Sequence, residues 1–109
     1  MRLIKIDATK QEVYEVECEG SLGDLQRGAD CDCITSAGCL PNGDTLYVDD
    51  EGLLKNPERF FFNSDFYPEP LAGSGIVAGS DREGNTISVK STLEKIRSKT
   101  IFAKNFMEF

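Results

Sequence analysis

Apolar and polar positions alternate from the start of the chain. Leu3, Ile4 and Ile6, flanked by Arg2 and Lys5, make a short strand, and residues 7–10 have the length and composition of a hairpin turn. Val13, Tyr14, Val16 and Cys18 then alternate with Glu12, Glu15, Glu17 and Glu19. A period of two puts Tyr14, Val16 and Cys18 on one face and Glu15 and Glu17 on the other. This strand is expected to be half-buried and antiparallel, with a wet, acidic side.

Gly20 breaks that pattern, and Ser21 with Asp24 three residues on has the spacing of a capping box. Leu22 and Leu25 share a helical face, and Gly28 ends a helix of about two turns. Residues 32–40 are small and strand-like. Pro41-Asn-Gly-Asp44 is a tight-turn signal, and Leu46, Tyr47 and Val48 form the returning strand. Asp49-Asp-Glu-Gly52 ends it.

The period is lost between residues 53 and 70. Asn56 and Pro57 suit the start of a short helix or turn that residues 58–62 could continue. Phe60, Phe61 and Phe62 cannot all face one core. Phe66, Tyr67, Pro68 and Pro70 make a stiff aromatic loop. Residues 71–79 form one glycine-punctuated strand, residues 81–85 a hairpin turn, and Thr86, Ile87 and Val89 its return. Ser91-Thr-Leu-Glu94 is a capping box for a second helix with Leu93 and Ile96 on its buried face, and residues 100–106 a last strand. The expected fold is α+β, residues 1–109 as a single small domain, with an antiparallel or mixed β-sheet and two short helices. Its order is β-β-α-β-β-(loop)-β-β-α-β.

Composition narrows the function. Nineteen acidic residues against twelve basic ones give a net charge of −7. Phosphate-backbone binding needs the opposite balance, so nucleic-acid backbone binding is not expected. No stretch approaches the roughly 20 apolar residues that cross a bilayer, and the first residues are unlike a signal peptide. A cytoplasmic setting is expected. There Cys18, Cys31, Cys33 and Cys39 would stay reduced. The Cys31-Asp-Cys33 pair lacks the usual zinc spacing, and the chain has no histidine. Buried thiols are the expectation for the four cysteines, with no metal or other cofactor.

Two motifs suggest chemistry without completing it. The acidic turn at residues 49–52 lacks the glutamate that closes a calcium loop. Gly73-Ser-Gly75 leads into a strand rather than the helix a phosphate cradle needs. No nucleophile and base stand at a recognisable spacing, so an enzyme is not expected.

The strings at residues 46–57, 70–79 and 81–84 together resemble the family catalogued as domain of unknown function 3846, over residues 28–89. The matching pieces are the acidic turn Asp50-Glu51-Gly52, Asn56-Pro57, the glycine-spaced strand at residues 73–79 and the charged hairpin at 81–84. The resemblance implies a small accessory protein of phages, plasmids and bacteria, and lends no catalytic residue.

Two binding functions follow. Lys55, Asn56, Arg59, Phe61 and Tyr67 combine cations, an amide and aromatic planes, the residue types that hold a small anionic, nucleotide-like ligand. Sequestering such a signal would be a counter-defence role. Alternatively, Glu12, Glu15, Glu17 and Glu19 form an acidic face for inhibiting a host protein. A small anionic ligand, a host protein and a second copy of the chain are the partners considered.

Overall fold

The structure, a computed structural model, describes residues 1–55 and 57–105, with the backbone alone for Leu53. The elements run β1 (Arg2–Asp7), β2 (Glu12–Glu17), α1 (Leu22–Gly28), β3 (Ile34–Cys39), β4 (Thr45–Asp49), a 3-10 turn (Gly52–Lys55), β5 (Phe60–Phe62), β6 (Leu71–Ala72), β7 (Gly75–Ser80), β8 (Thr86–Ile87), α2 (Leu93–Lys99) and β9 (Ile101–Ala103). The fold is α+β with antiparallel sheets and two short helices. None of the described helices is long and apolar enough to cross a membrane.

The main sheet has the order β2-β1-β7-β4-β3, with β8 attached to the far end of β7. Its centre is β7, whose sequence Gly-Ile-Val-Ala-Gly-Ser is buried on both faces apart from its last residue. Ile4, Val77 and Leu46 lie side by side on one face, and Lys5, Ile76 and Tyr47 on the other. The first face packs with Val13, Val48, Phe61 and Ile96; the second packs with Leu25 and Ala29 of the α1 segment. Period-two alternation in β1 and β4 therefore feeds two cores at once.

Local chemistry sets the connections. The capping box of α1 is formed, with the Ser21 hydroxyl accepting from the Asp24 N–H and the Asp24 carboxylate accepting from the Ser21 N–H. Only Leu25 of the expected apolar pair is buried; Leu22 points to solvent. A helix of two turns covers too little of the sheet to bury both. The cap of α2 falls on Thr92, one residue later than the capping-box pattern indicated. Ser91 is instead drawn inward, its N–H donating to the buried Asp44 carboxylate at 2.7 Å. Asp44 also accepts from the Lys90 N–H at 2.9 Å, tying the β3–β4 hairpin to the entry of α2.

Two expectations are corrected. Residues 60–62 are a strand, not a helical continuation, and residues 71–79 are two strands, not one. The break at Gly73, at φ +80°, hands the chain from a second, three-stranded sheet (β6-β5-β9) into the main one. The Ser74 hydroxyl fixes this crossing by accepting from the Ala8 N–H at 3.0 Å. The phenylalanine run forms the middle strand of that second sheet, with Phe60 and Phe61 both buried on opposite faces. Phe61 is fully buried against the main sheet, while Phe62 is partly exposed. Gly75 makes room for Phe61, since a Cβ there would lie 2.9 Å from Phe61 Cζ.

Candidate functional site

The loop residues read as an anion site do not converge. Phe61 has no exposed surface and offers no plane to a ligand, a correction with a simple cause: β5 turns that side chain into the core. Asn56 lies outside the described residues. Lys55 is already engaged, its Nζ 2.8 Å from Asp49 Oδ2. That bond holds the Lys55 ammonium above its ordinary range. Burial works to raise the Asp49 carboxyl, but the Lys55 bond and the Glu51 N–H outweigh it and leave the group below its usual range. Arg59 is half-buried, with Nη1 donating to its neighbour's carbonyl, that of Glu58, at 3.0 Å. Lys55 and Arg59 do share a shallow groove of about 370 Å³ with Thr9 and Gly73. Tyr67 lies elsewhere.

Tyr67 instead lines a cleft of about 310 Å³ between the β3 edge of the main sheet and the segment that leads into β6. Thr35 and Ser36 of β3, Asp50 and Glu51 of the acidic turn, and Glu69 of the aromatic loop also contribute. The loop is held in place by the buried Asn63. Its Oδ1 accepts from the Asp65 N–H, its Nδ2 donates to the Thr100 hydroxyl, and its carbonyl accepts from Phe66 and Tyr67. Next to the cleft-lining Ala37 and Tyr67, Gly38 runs against the Phe66 carbonyl, so closely that a Cβ would sit 1.9 Å from that oxygen. The loop beside the cleft is therefore held by the Asn63 side chain and by close backbone packing.

The cleft is acidic. Asp49 is answered by Lys55, but Asp50, Glu51 and Glu69 have no basic partner within 4.0 Å among the described residues. Leu54, 81% exposed, adds an apolar flank. Sequence reasoning treated the acidic turn and the aromatic loop separately. Glu69 and Ser36 carry no signal of their own, and only the fold brings them together.

The acidic strand is where its pattern placed it. Glu12, Glu15, Glu17 and Glu19 are all exposed along β2 and its exit, at one edge of the main sheet. Arg2 Nε meets Glu15 at 3.0 Å, and the terminal ammonium lies 3.8 Å from Glu17, so part of that charge is already balanced. Arg97 of α2 covers this edge, its Nη2 donating to the Val13 carbonyl at 2.9 Å.

The cysteines are free, with Cys33 and Cys39 exposed and Cys18 and Cys31 half-buried. This corrects the reading of four buried thiols: β3 is an edge strand, so Cys39 faces solvent. Burial pushes the Cys31 thiol up, and its Sγ lies 3.5 Å from the Cys33 carbonyl. Among the described residues no three His, Cys, Asp or Glu side chains gather as a metal site would require.

These features define a small α+β domain of two antiparallel sheets with an acidic cleft at one sheet edge. The model of the family "Domain of unknown function (DUF3846)" matches residues 1–101, and the chain belongs to that family. The match reaches beyond the 28–89 stretch to take in the first hairpin and α2. No curated protein and no solved structure matches the chain.

Proposed function

We propose that this domain is a non-enzymatic binding module, an accessory protein of a mobile element, which captures a basic group of a host protein in the acidic cleft. The observation that carries the reading is the set Asp50, Glu51 and Glu69, without basic partners among the described residues, around a cleft that also offers Tyr67 and Leu54. A lysine or arginine side chain has the matching construction, an apolar stem and a charged head. The ring of Tyr67 can lie against the guanidinium, and the net charge of −7 would speed the encounter. Blocking a host factor in this way would serve counter-defence. The cleft is a better inhibitor surface than the β2 glutamates, because Glu15 and Glu17 already have cationic neighbours.

The test is calorimetric titration of an arginine-rich peptide and a glutamate-rich control into the wild type and the triple variant Asp50→Asn, Glu51→Gln, Glu69→Gln. Exposed charge pairs contribute about 0.2–1 kcal/mol each, so the variant should lose roughly tenfold in affinity for the basic peptide. Equal affinity of wild type and variant would refute the assignment.

A second reading, sequestration of a small anionic, nucleotide-like ligand, is favoured by the shared groove of Thr9, Lys55, Arg59 and Gly73. There Arg59 would hold a phosphate by its planar fork. Titration of pyrophosphate and of a cyclic dinucleotide against wild type and Arg59→Ala tests it. An affinity lowered at least tenfold by the substitution is expected, and the same heat in both would reject it.

A further inference from the structure

The two edges of the main sheet are treated differently. At β2 the edge carries three glutamates, with Glu19 just beyond it, and Arg97 occupies the Val13 carbonyl. These are ordinary devices against unwanted strand pairing. The opposite edge, β3, reads Ile-Thr-Ser-Ala-Gly-Cys and has neither charge nor proline. It carries one register irregularity between Ser36 and Gly38, and among the described residues no strand lies on its outer side.

Its free hydrogen-bonding groups can be located. The Cys33 carbonyl accepts from the Asp50 N–H at 2.8 Å, which makes Cys33 and Asp50 a bonded pair at the start of the ladder. Antiparallel alternation then turns Thr35 toward β4, and turns the N–H and carbonyl of Ile34 and Ser36 outward. Thr35 and Ser36 also line the acidic cleft. A strand laid beside β3 would thus find main-chain partners at Ile34 and Ser36. Every second side chain of that strand would project over the cleft.

Resting on the cleft reading above, we infer that the partner is an extended basic segment of another protein, which adds as a strand to β3 and places a lysine or arginine in the cleft. Main-chain bonds supply affinity in such complexes, and pockets for alternate side chains supply selectivity. Here the selective pocket is the one bounded by Asp50, Glu51 and Glu69. Its charge requires a cation, and the uncharged edge accepts any backbone.

The probe is a fluorescein-labelled nonapeptide of alternating arginine and threonine, followed by fluorescence anisotropy. Controls are the glutamate–threonine peptide and the basic peptide N-methylated at every residue, which cannot pair at either edge. The variant is Ser36→Pro, because proline is tolerated on an edge strand where the N–H faces solvent. Expected results are binding of the basic peptide alone, and at least tenfold weaker binding on N-methylation and in Ser36→Pro. Amide exchange at Ile34 and Ser36 should slow at least tenfold in the wild type on adding the basic peptide. That measurement keeps the inference testable if Ser36→Pro melts far below the wild type. Binding that survives N-methylation, with unprotected Ile34 and Ser36, but fails in the Asp50, Glu51, Glu69 variant would overturn strand addition and leave the acidic cleft standing. No binding of the basic peptide would overturn both. A wild-type dimer that Ser36→Pro dissociates would assign the edge to a second copy and overturn the inference.

Discussion

Replacing Asp44 by alanine removes the carboxylate that joins the β3–β4 hairpin to the segment entering α2. Asp44 has no exposed surface, and its two oxygens accept from the Lys90 and Ser91 N–H groups at 2.9 and 2.7 Å. Hydrogen bonds to a charged group contribute about 1.5–3 kcal/mol each, and alanine would leave the Ser91 N–H buried without this acceptor. The expected loss is about 3–6 kcal/mol, a large share of the roughly 5–15 kcal/mol that holds a domain of this size. At about 4–8 °C per kcal/mol, the melting temperature should fall by at least roughly 10 °C. Asp44→Asn keeps one oxygen and should lose about half as much. Urea unfolding by circular dichroism, with an unchanged slope and a shifted midpoint, is the assay. A loss under about 1 kcal/mol for Asp44→Ala would refute the reasoning, and would mean that water replaces the carboxylate without penalty.

Gly38→Ala should destabilise by about 1–3 kcal/mol and weaken basic-peptide binding, because the new methyl would displace the Phe66 carbonyl and with it the cleft wall. Thermal melts and the anisotropy assay check both, and an alanine variant with wild-type values in each would contradict the packing argument. Acid should destabilise the fold in a particular window. The carboxyls of Asp24, Asp49 and Asp81 lie below their ordinary value of 3.8, so the stability they contribute is present above that value and lost as pH falls through the lowered ones. Urea midpoints should drop below about pH 4, and Asp49→Asn should flatten that drop.

Most strands of the main sheet were legible because they have a feature that repeats or punctuates, whereas β7 was legible only as part of one longer strand over residues 71–79. Val13, Tyr14 and Val16 alternate with glutamates, and Asn42 turns the β3–β4 hairpin with its Oδ1 accepting from the Asp44 N–H. The α1 cap was legible for the same reason, a side chain bonding within four residues. Of the second sheet only β9 was legible, inside the expected strand at residues 100–106. β5 and β6 have three and two residues, too few for any period to register, and Phe61 is buried through its fit over Gly75, about fourteen residues away. The candidate site failed in sequence for a related reason. Lys55, Arg59 and Tyr67 are close along the chain, but the 3-10 turn and the loop held by Asn63 send Tyr67 to a different cleft. In a segment without periodic structure, adjacency in sequence does not guarantee adjacency in space.

The place of β7 has a consequence for how the chain folds. The two early hairpins, β1–β2 and β3–β4, do not pair with each other; both pair with β7, which arrives only at residues 75–80. The pairing of Ile4 with Val77 closes a loop of roughly 70 residues, and contacts that distant slow folding because chain entropy is lost before they form. During synthesis, each hairpin can form as it emerges, but the sheet cannot close until Ser80 is free of the ribosome. Until then, the inner edges of β1 and β4 stay unpaired and Leu46, Ile4 and Ile6 lack the strand that covers them. A nascent chain halted before Gly75 is therefore two tethered hairpins, open to pairing with other chains and dependent on whatever in the cell shields such edges.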